Sequence, residues 1–175
     1  MFHRKLITVV IALSVFALGA WAQTPPQHQH PDVTVVDGAK NPELIPDTIA
    51  YRLWLVTVSL TPDATDKERT FQQAHLNKLQ LTSSVDYLQL LSILTDFKRQ
   101  YLSLIASYNE SAKAALLKGS QADEKLFLQQ RDYLVSDTRT VIAQRLTPDS
   151  AARIDAHVQG EKKRIQLHTA GGGQP

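Results

Sequence analysis

The chain has 175 residues, no Cys and a formal net charge of +2. The missing Cys excludes disulfides and thiolate metal sites. The length suits one domain, able to bury roughly 70% of the surface its unfolded chain would expose.

Residues 1–22 have the three parts of a secretory signal peptide. These are a basic start with Arg4 and Lys5, an apolar run from Leu6 to Ala20, and small residues at Ala20 and Ala22 around Trp21. As a helix the apolar run would reach about 22 Å, short of a bilayer core of about 30 Å. Cleavage after Ala22 is therefore expected, with a periplasmic or secreted mature chain beginning at Gln23. An exported chain without Cys leans toward a bacterial periplasm. Loss of Arg4 and Lys5 takes the 19 basic residues to 17, equal to the 17 acidic ones. A neutral chain offers no basic stripe to nucleic acid. The one dense cluster, Lys162, Lys163 and Arg164, suits the negative end of a helix. No later segment approaches the ~18 consecutive apolar residues of a membrane span.

Residues 23–45 read as an extended Pro-rich leader, with Pro25, Pro26, Pro31 and Pro42 and turn signals at Asp37-Gly38 and Asn41-Pro42. Val33 to Val36 could form one strand but has no obvious partner, so it is expected to lie on the helices as extended peptide. Residues 46–168 are expected to form the bundle, and 169–175, with Gly171 to Gly173, a disordered tail.

Five helices are predicted. The first spans about Pro46 to Leu60, with Ile49, Leu53, Val56 and Leu60 on one face and Trp54 and Leu55 widening it. The second starts at Thr61-Pro62-Asp63, a capping pattern, and runs to about Gln80 with Phe71, Leu76 and Leu79. The third runs from Ser83 to Lys118, with Ser83 and Asp86 as a capping pair and Gly119 as the terminating residue. Its stripe is Tyr87, Leu90, Leu94, Phe97, Tyr101, Leu104, Tyr108, Ser111 and Ala115, alternating +3 and +4 as in a coiled-coil seam. Leu88, Leu91, Leu102 and Ile105 make a second edge. A bend is expected near Asn109 to Ser111.

The fourth helix spans about Gln121 to Arg145, opened by Ser120 and carrying Leu126, Phe127, Tyr133, Leu134, Val141 and Ile142. The fifth opens at Thr147-Pro148-Asp149 and runs to about Leu167 with Ala151, Ile154, Val158 and Ile165. Gly160 marks close packing or a break. Short connections imply antiparallel neighbours. The fold class expected is all-α: an antiparallel helical bundle of about five helices, with one long central helix carrying the fourth packed back along it.

Chemistry is harder to find. The chain has no H-E-x-x-H, no G-x-S-x-G and no Gly-rich phosphate cradle. The Glu-x-x-His pairs of a di-metal bundle are absent, since Gln72 precedes His75 and Ile154 precedes His157 by three. Acidic residues lie beside basic ones (Asp96 with Arg99, Asp132 with Arg131, Asp137 with Arg139) and read as surface pairs. His28 and His30 project to one side of an extended chain and could bind Zn²⁺ or Cu²⁺ weakly, though ordering a Pro-rich segment costs entropy. His75 and His157 read as surface or cap-side residues. The aromatics Tyr87, Phe97, Tyr101 and Tyr108 read as core rather than as a ligand wall. No catalytic, cofactor or metal site is expected.

Leu60-Thr61-Pro62-Asp63, Leu81-Thr82-Ser83-Ser84 and Leu146-Thr147-Pro148-Asp149 resemble the L-T-x-x-Q helix starts of small periplasmic helical proteins of the Spy/CpxP kind. The fifth position is Ala64, Val85 or Ser150 in place of Gln. That resemblance implies a chaperone or envelope-stress sensor. The stretch from Asp37 through Pro42, Glu43 and Ile45 to Tyr51 and Arg52 resembles small exported bacterial all-helical proteins with no assigned activity. The function expected is that of an exported, non-enzymatic binding or envelope-interaction protein using an amphipathic helical face. The wide apolar faces of the first and third helices are compatible with a homodimer. Metal binding through His28 and His30 is one alternative, and an enzyme using dispersed acidic residues is another.

Overall fold

A computed structural model describes residues 33–170. The segment 1–22 expected to be a signal peptide, His28 and His30, and the glycines 171–173 lie outside the described residues.

The chain is an all-α antiparallel bundle of five helices with one long central helix. Helix α1 (Asp47–Val58) contacts all four others: α2 (Asp66–Leu76), α3 (Ser84–Leu117), α4 (Glu124–Arg145) and α5 (Pro148–Glu161). Its buried residues are Ala50, Tyr51, Trp54, Leu55 and Val58. The face expected from periodicity is rotated away, leaving Leu53 45% and Val56 36% exposed. This helix is apolar nearly all round, so period alone does not select a side; successive residues sit about 100° apart, and the neighbours decide.

Three helix starts differ from expectation for local reasons. Thr61 to Asp63 forms a turn, and α2 begins instead at Thr65. The Thr65 hydroxyl accepts from the Glu68 N–H while the Glu68 carboxylate accepts from the Thr65 N–H, a reciprocal capping box. Helix α4 starts at Asp123, whose carboxylate accepts from the Leu126 N–H at 2.8 Å. Ser120 instead donates to the Ala115 carbonyl and closes α3 beside Gly119, at φ +68. Helix α1 is capped from Pro46 without a side-chain bond. Thr147 and Ser83 cap α5 and α3 as expected.

The Asp86 side chain does not return to its own helix start. It accepts from the N–H and hydroxyl of Thr147, so the beginnings of α3 and α5 are tied together by one carboxylate. Hydrogen bonding from the Ser150 side chain, then from Thr147, holds the Asp86 carboxyl below its ordinary range.

Two corrections concern the chain ends. Val33–Asp37 is strand β1, not unpaired peptide. It pairs antiparallel with β2 (Gln166–Ala170), with Val35 opposite His168 and Asp37 opposite Gln166. Thr169 and Ala170, expected in a disordered tail, thus belong to a ladder. Helix α5 ends at Glu161, followed by a 3-10 turn at Lys162–Arg164. Gly38 permits the crossing: its N–H donates to the Ile165 carbonyl at 2.9 Å, and a Cβ there would sit 2.0 Å from the Lys162 carbonyl oxygen. Gly160 is different, since nothing lies within 4 Å of its would-be Cβ, and the close-packing role expected of it falls away.

Helix α3 has 34 residues and runs unbroken through Asn109 to Ser111, about 51 Å. Its first half packs into the core through Leu90, Ile93, Leu94 and Phe97; α4 answers with Leu134, Val135, Thr138 and Ile142. Tyr133, expected on that face, is 73% exposed. From residue 98 to residue 133 no residue is buried. There α3 and α4 form a two-helix arm projecting from a five-helix head.

Candidate functional site

Three features combine chemistry or exposure with position. The first is a polar clamp on the head. The Asp47 carboxylate, at the start of α1, accepts from Arg139 on α4 (3.0 Å), Gln159 on α5 (3.1 Å) and Lys162 beyond it (2.6 Å). Arg139 also donates to Asp155 (2.9 Å), which accepts from the Tyr51 hydroxyl at 2.7 Å. The Arg139 guanidinium lies 4.7 Å from the centre of the Tyr51 ring. Lys162 leads the causes that hold the Asp47 carboxyl well below the usual range, at about 2. Burial, then the bond to Asp155, pushes the Tyr51 hydroxyl up.

Asp47 and Asp155 were part of a scattered acidic set by sequence; folding brings them onto one guanidinium. A carboxylate ionised this strongly is a poor proton acceptor near neutral pH. Every member of the clamp is already paired, so the arrangement fits a structural junction of three helices.

The second feature is a shallow hollow of about 180 Å³ between α1, α2 and α5, lined by Leu53, Trp54, His75, His157, Glu161 and Arg164 among others. His75 and His157, read separately as surface residues, share this hollow. The His75 Nδ1 lies 3.0 Å from the Phe71 carbonyl, which only accepts, so Nδ1 carries the proton. Burial lowers the His157 pKa, partly opposed by Glu161. Arg164 and Glu161 are paired with each other at 2.9 Å. Among the described residues no three His, Asp or Glu side chains group as a metal site. The Trp54 Nε1 is buried without a partner.

The third feature is the arm. Tyr108 stacks on Phe127 with ring centres 4.5 Å apart, which pins α3 to α4 at its middle. Around that pin, Leu102 (42%), Leu116 (77%), Leu117 (90%) and Leu126 (49%) are exposed. Among the expected core aromatics, Phe97 is buried and stacks on half-buried Tyr101, with ring centres 5.4 Å apart. No described helix is long and apolar enough to cross a membrane.

No family model, curated protein or solved structure matches this chain.

Proposed function

We propose that this chain is an exported, non-enzymatic binding protein that engages another protein through the apolar surface of its α3–α4 arm. The observation that carries the reading is the arm's composition: leucines at 102, 116, 117 and 126 stand exposed where two helices lack a third layer. Leucines scattered singly need no explanation; four exposed on one element that lacks a third layer are read here as the interaction surface. The signal-like segment 1–22 supports an envelope or extracellular setting, and the Leu146-Thr147-Pro148-Asp149 start of α5 supports a relation to periplasmic helical chaperones and sensors.

The test uses the mature chain from Gln23. It should slow aggregation of an unfolded client or retain a protein from envelope extract. Leu116→Glu together with Leu126→Glu should reduce that effect at least about fivefold, on the order of 1 kcal/mol, with helix content unchanged. Failure to protect any client and to retain any envelope protein sinks the reading.

A further inference from the structure

The hollow between α1, α2 and α5 holds chemistry that neither the clamp nor the arm uses. Leu53 and Trp54 of α1, with Ile165 beyond α5, give it an apolar wall. Its volume of about 180 Å³ compares with an engineered cavity of about 150 Å³ that accepts benzene. It therefore takes one six-membered ring with a small substituent.

The other side is polar and unevenly charged. His157 and Glu161 stand four residues apart on α5, hence on one face, and His75 and Arg164 join them in the lining. Glu161 is the one carboxylate there, and both its oxygens accept from Nη1 of Arg164, at 3.0 and 2.9 Å. Among the described residues, Nε and Nη2 of Arg164 have no protein partner, and neither has the buried Nε1–H of Trp54. His157 feels the positive charge of Lys78, His75 and Arg164 against the negative charge of Glu161 alone. Donors and positive charge are in surplus, and the only carboxylate is already engaged.

We propose that this hollow binds a small aromatic carboxylate, its ring against Leu53 and Trp54 and its charged end on Arg164 and His157. An apolar wall beside a few convergent polar groups is how small-ligand sites are built. A guanidinium with free N–H groups pairs a planar carboxylate through two parallel bonds. A cation of the same size would face Lys78 and Arg164, and a neutral ring would leave the surplus donors unused. Burial lowers the His157 pKa, and a bound anion favours the charged imidazole. Affinity therefore rises as pH falls through the imidazole range, while the ligand carboxyl, with a pKa near about 4, stays ionised. This goes beyond the arm reading, since no lining residue lies between 98 and 133.

The sequence has two Trp, and Trp21 belongs to the segment expected to be removed. Trp54 is then the sole indole of the chain from Gln23, and it reports on the hollow directly. Titration of that chain with phenylacetate should shift the indole emission saturably, with a Kd on the order of 1 mM. Acetate, without the ring, and phenylacetamide, without the charge, should each bind at least about tenfold more weakly. Arg164→Gln, at a side chain 73% exposed that folding tolerates, should weaken phenylacetate at least about fivefold. Acidification from about pH 7.5 to about pH 5.5 should tighten binding at least about threefold, and His157→Gln should remove most of that gain.

The proposal is overturned if neither emission nor calorimetry shows saturable binding. It is also overturned if acetate binds as well as phenylacetate, which is an anion at the surface only, or if phenylacetamide does. Unchanged affinity in Arg164→Gln, or an unchanged pH response in His157→Gln, has the same meaning. Leu116→Glu and Leu126→Glu should leave phenylacetate binding as it is, so this site and the arm reading stand or fall separately.

Discussion

Helices α3 and α4 belong to two environments at once. Near the head, Leu90, Leu94 and Phe97 are at or below 1% exposure because α1 closes over them. In the arm, the same +3/+4 stripe continues through Tyr101, Leu104, Tyr108 and Ala115, yet none of these is fully buried. The pattern of the two halves is alike and the burial is not. A heptad stripe says which side of a helix meets its neighbour; it does not say whether a third layer exists to seal the contact. The head adds a second kind of joint that the arm lacks, the side-chain clamp from Asp47 and Asp155 to Arg139 and Lys162.

That contrast breaks most visibly at Phe97. Phe97→Ala removes a buried ring from the head and should cost about 3–5 kcal/mol, read as a lowered denaturant midpoint. If it costs no more than an arm truncation, the division between head and arm is false.

Gly38→Ala should rank next. The added Cβ meets backbone oxygen rather than a flexible side chain, so a cost of about 1–3 kcal/mol is expected. Hydrogen exchange at β1 and β2 should rise while exchange in the arm stays the same.

Asp47→Asn tests the clamp. Asp47 is held at about 2 when folded, below its unfolded value near 4. Its contribution is therefore complete above about pH 4 and lost as pH falls toward 2. The side chain is 40% exposed, so solvent screening limits the expected loss at pH 7 to about 1 kcal/mol. The difference between wild type and variant should shrink on acidification through that window; a constant difference would show that the charge does not matter.

Gly160→Ala carries the opposite sign. It adds a helix former to an exposed position of α5 with open space around it, and should raise stability by about 0.5–1 kcal/mol. The smallest effect belongs to the arm: Leu117→Ser, at 90% exposure, should stay within about 0.5 kcal/mol in chemical denaturation.

How far the chain could be read in advance varied with the range of the interaction. Ser83, Thr147 and Gly119 act through bonds spanning a few residues, and their roles follow from residue type and spacing. Thr65 was equally local, but Thr61-Pro62-Asp63 offered a competing signal, and the capping box with Glu68 prevailed. The partner of β1 was not legible, since Val33–Asp37 and Gln166–Ala170 stand at opposite ends of the domain and neither names the other. The same applies to His75 and His157 in one hollow, and to Asp47 and Asp155 on one guanidinium. Sequence spacing labels each acid by its nearest basic neighbour in the chain; folding supplied Arg139 and Lys162 instead.

The sequence by itself determined the helical class, the long third helix with the fourth packed along it, and the stripe on which those two meet. Each follows from periodicity and capping, which act over a turn or two. The tertiary structure alone decided which side of α1 is buried, that the two ends pair as a ribbon, that Asp86 serves α5 rather than α3, and that the seam runs out of its third layer beyond Tyr101. These depend on which surfaces arrive together when the chain closes, and one-dimensional spacing carries no record of that.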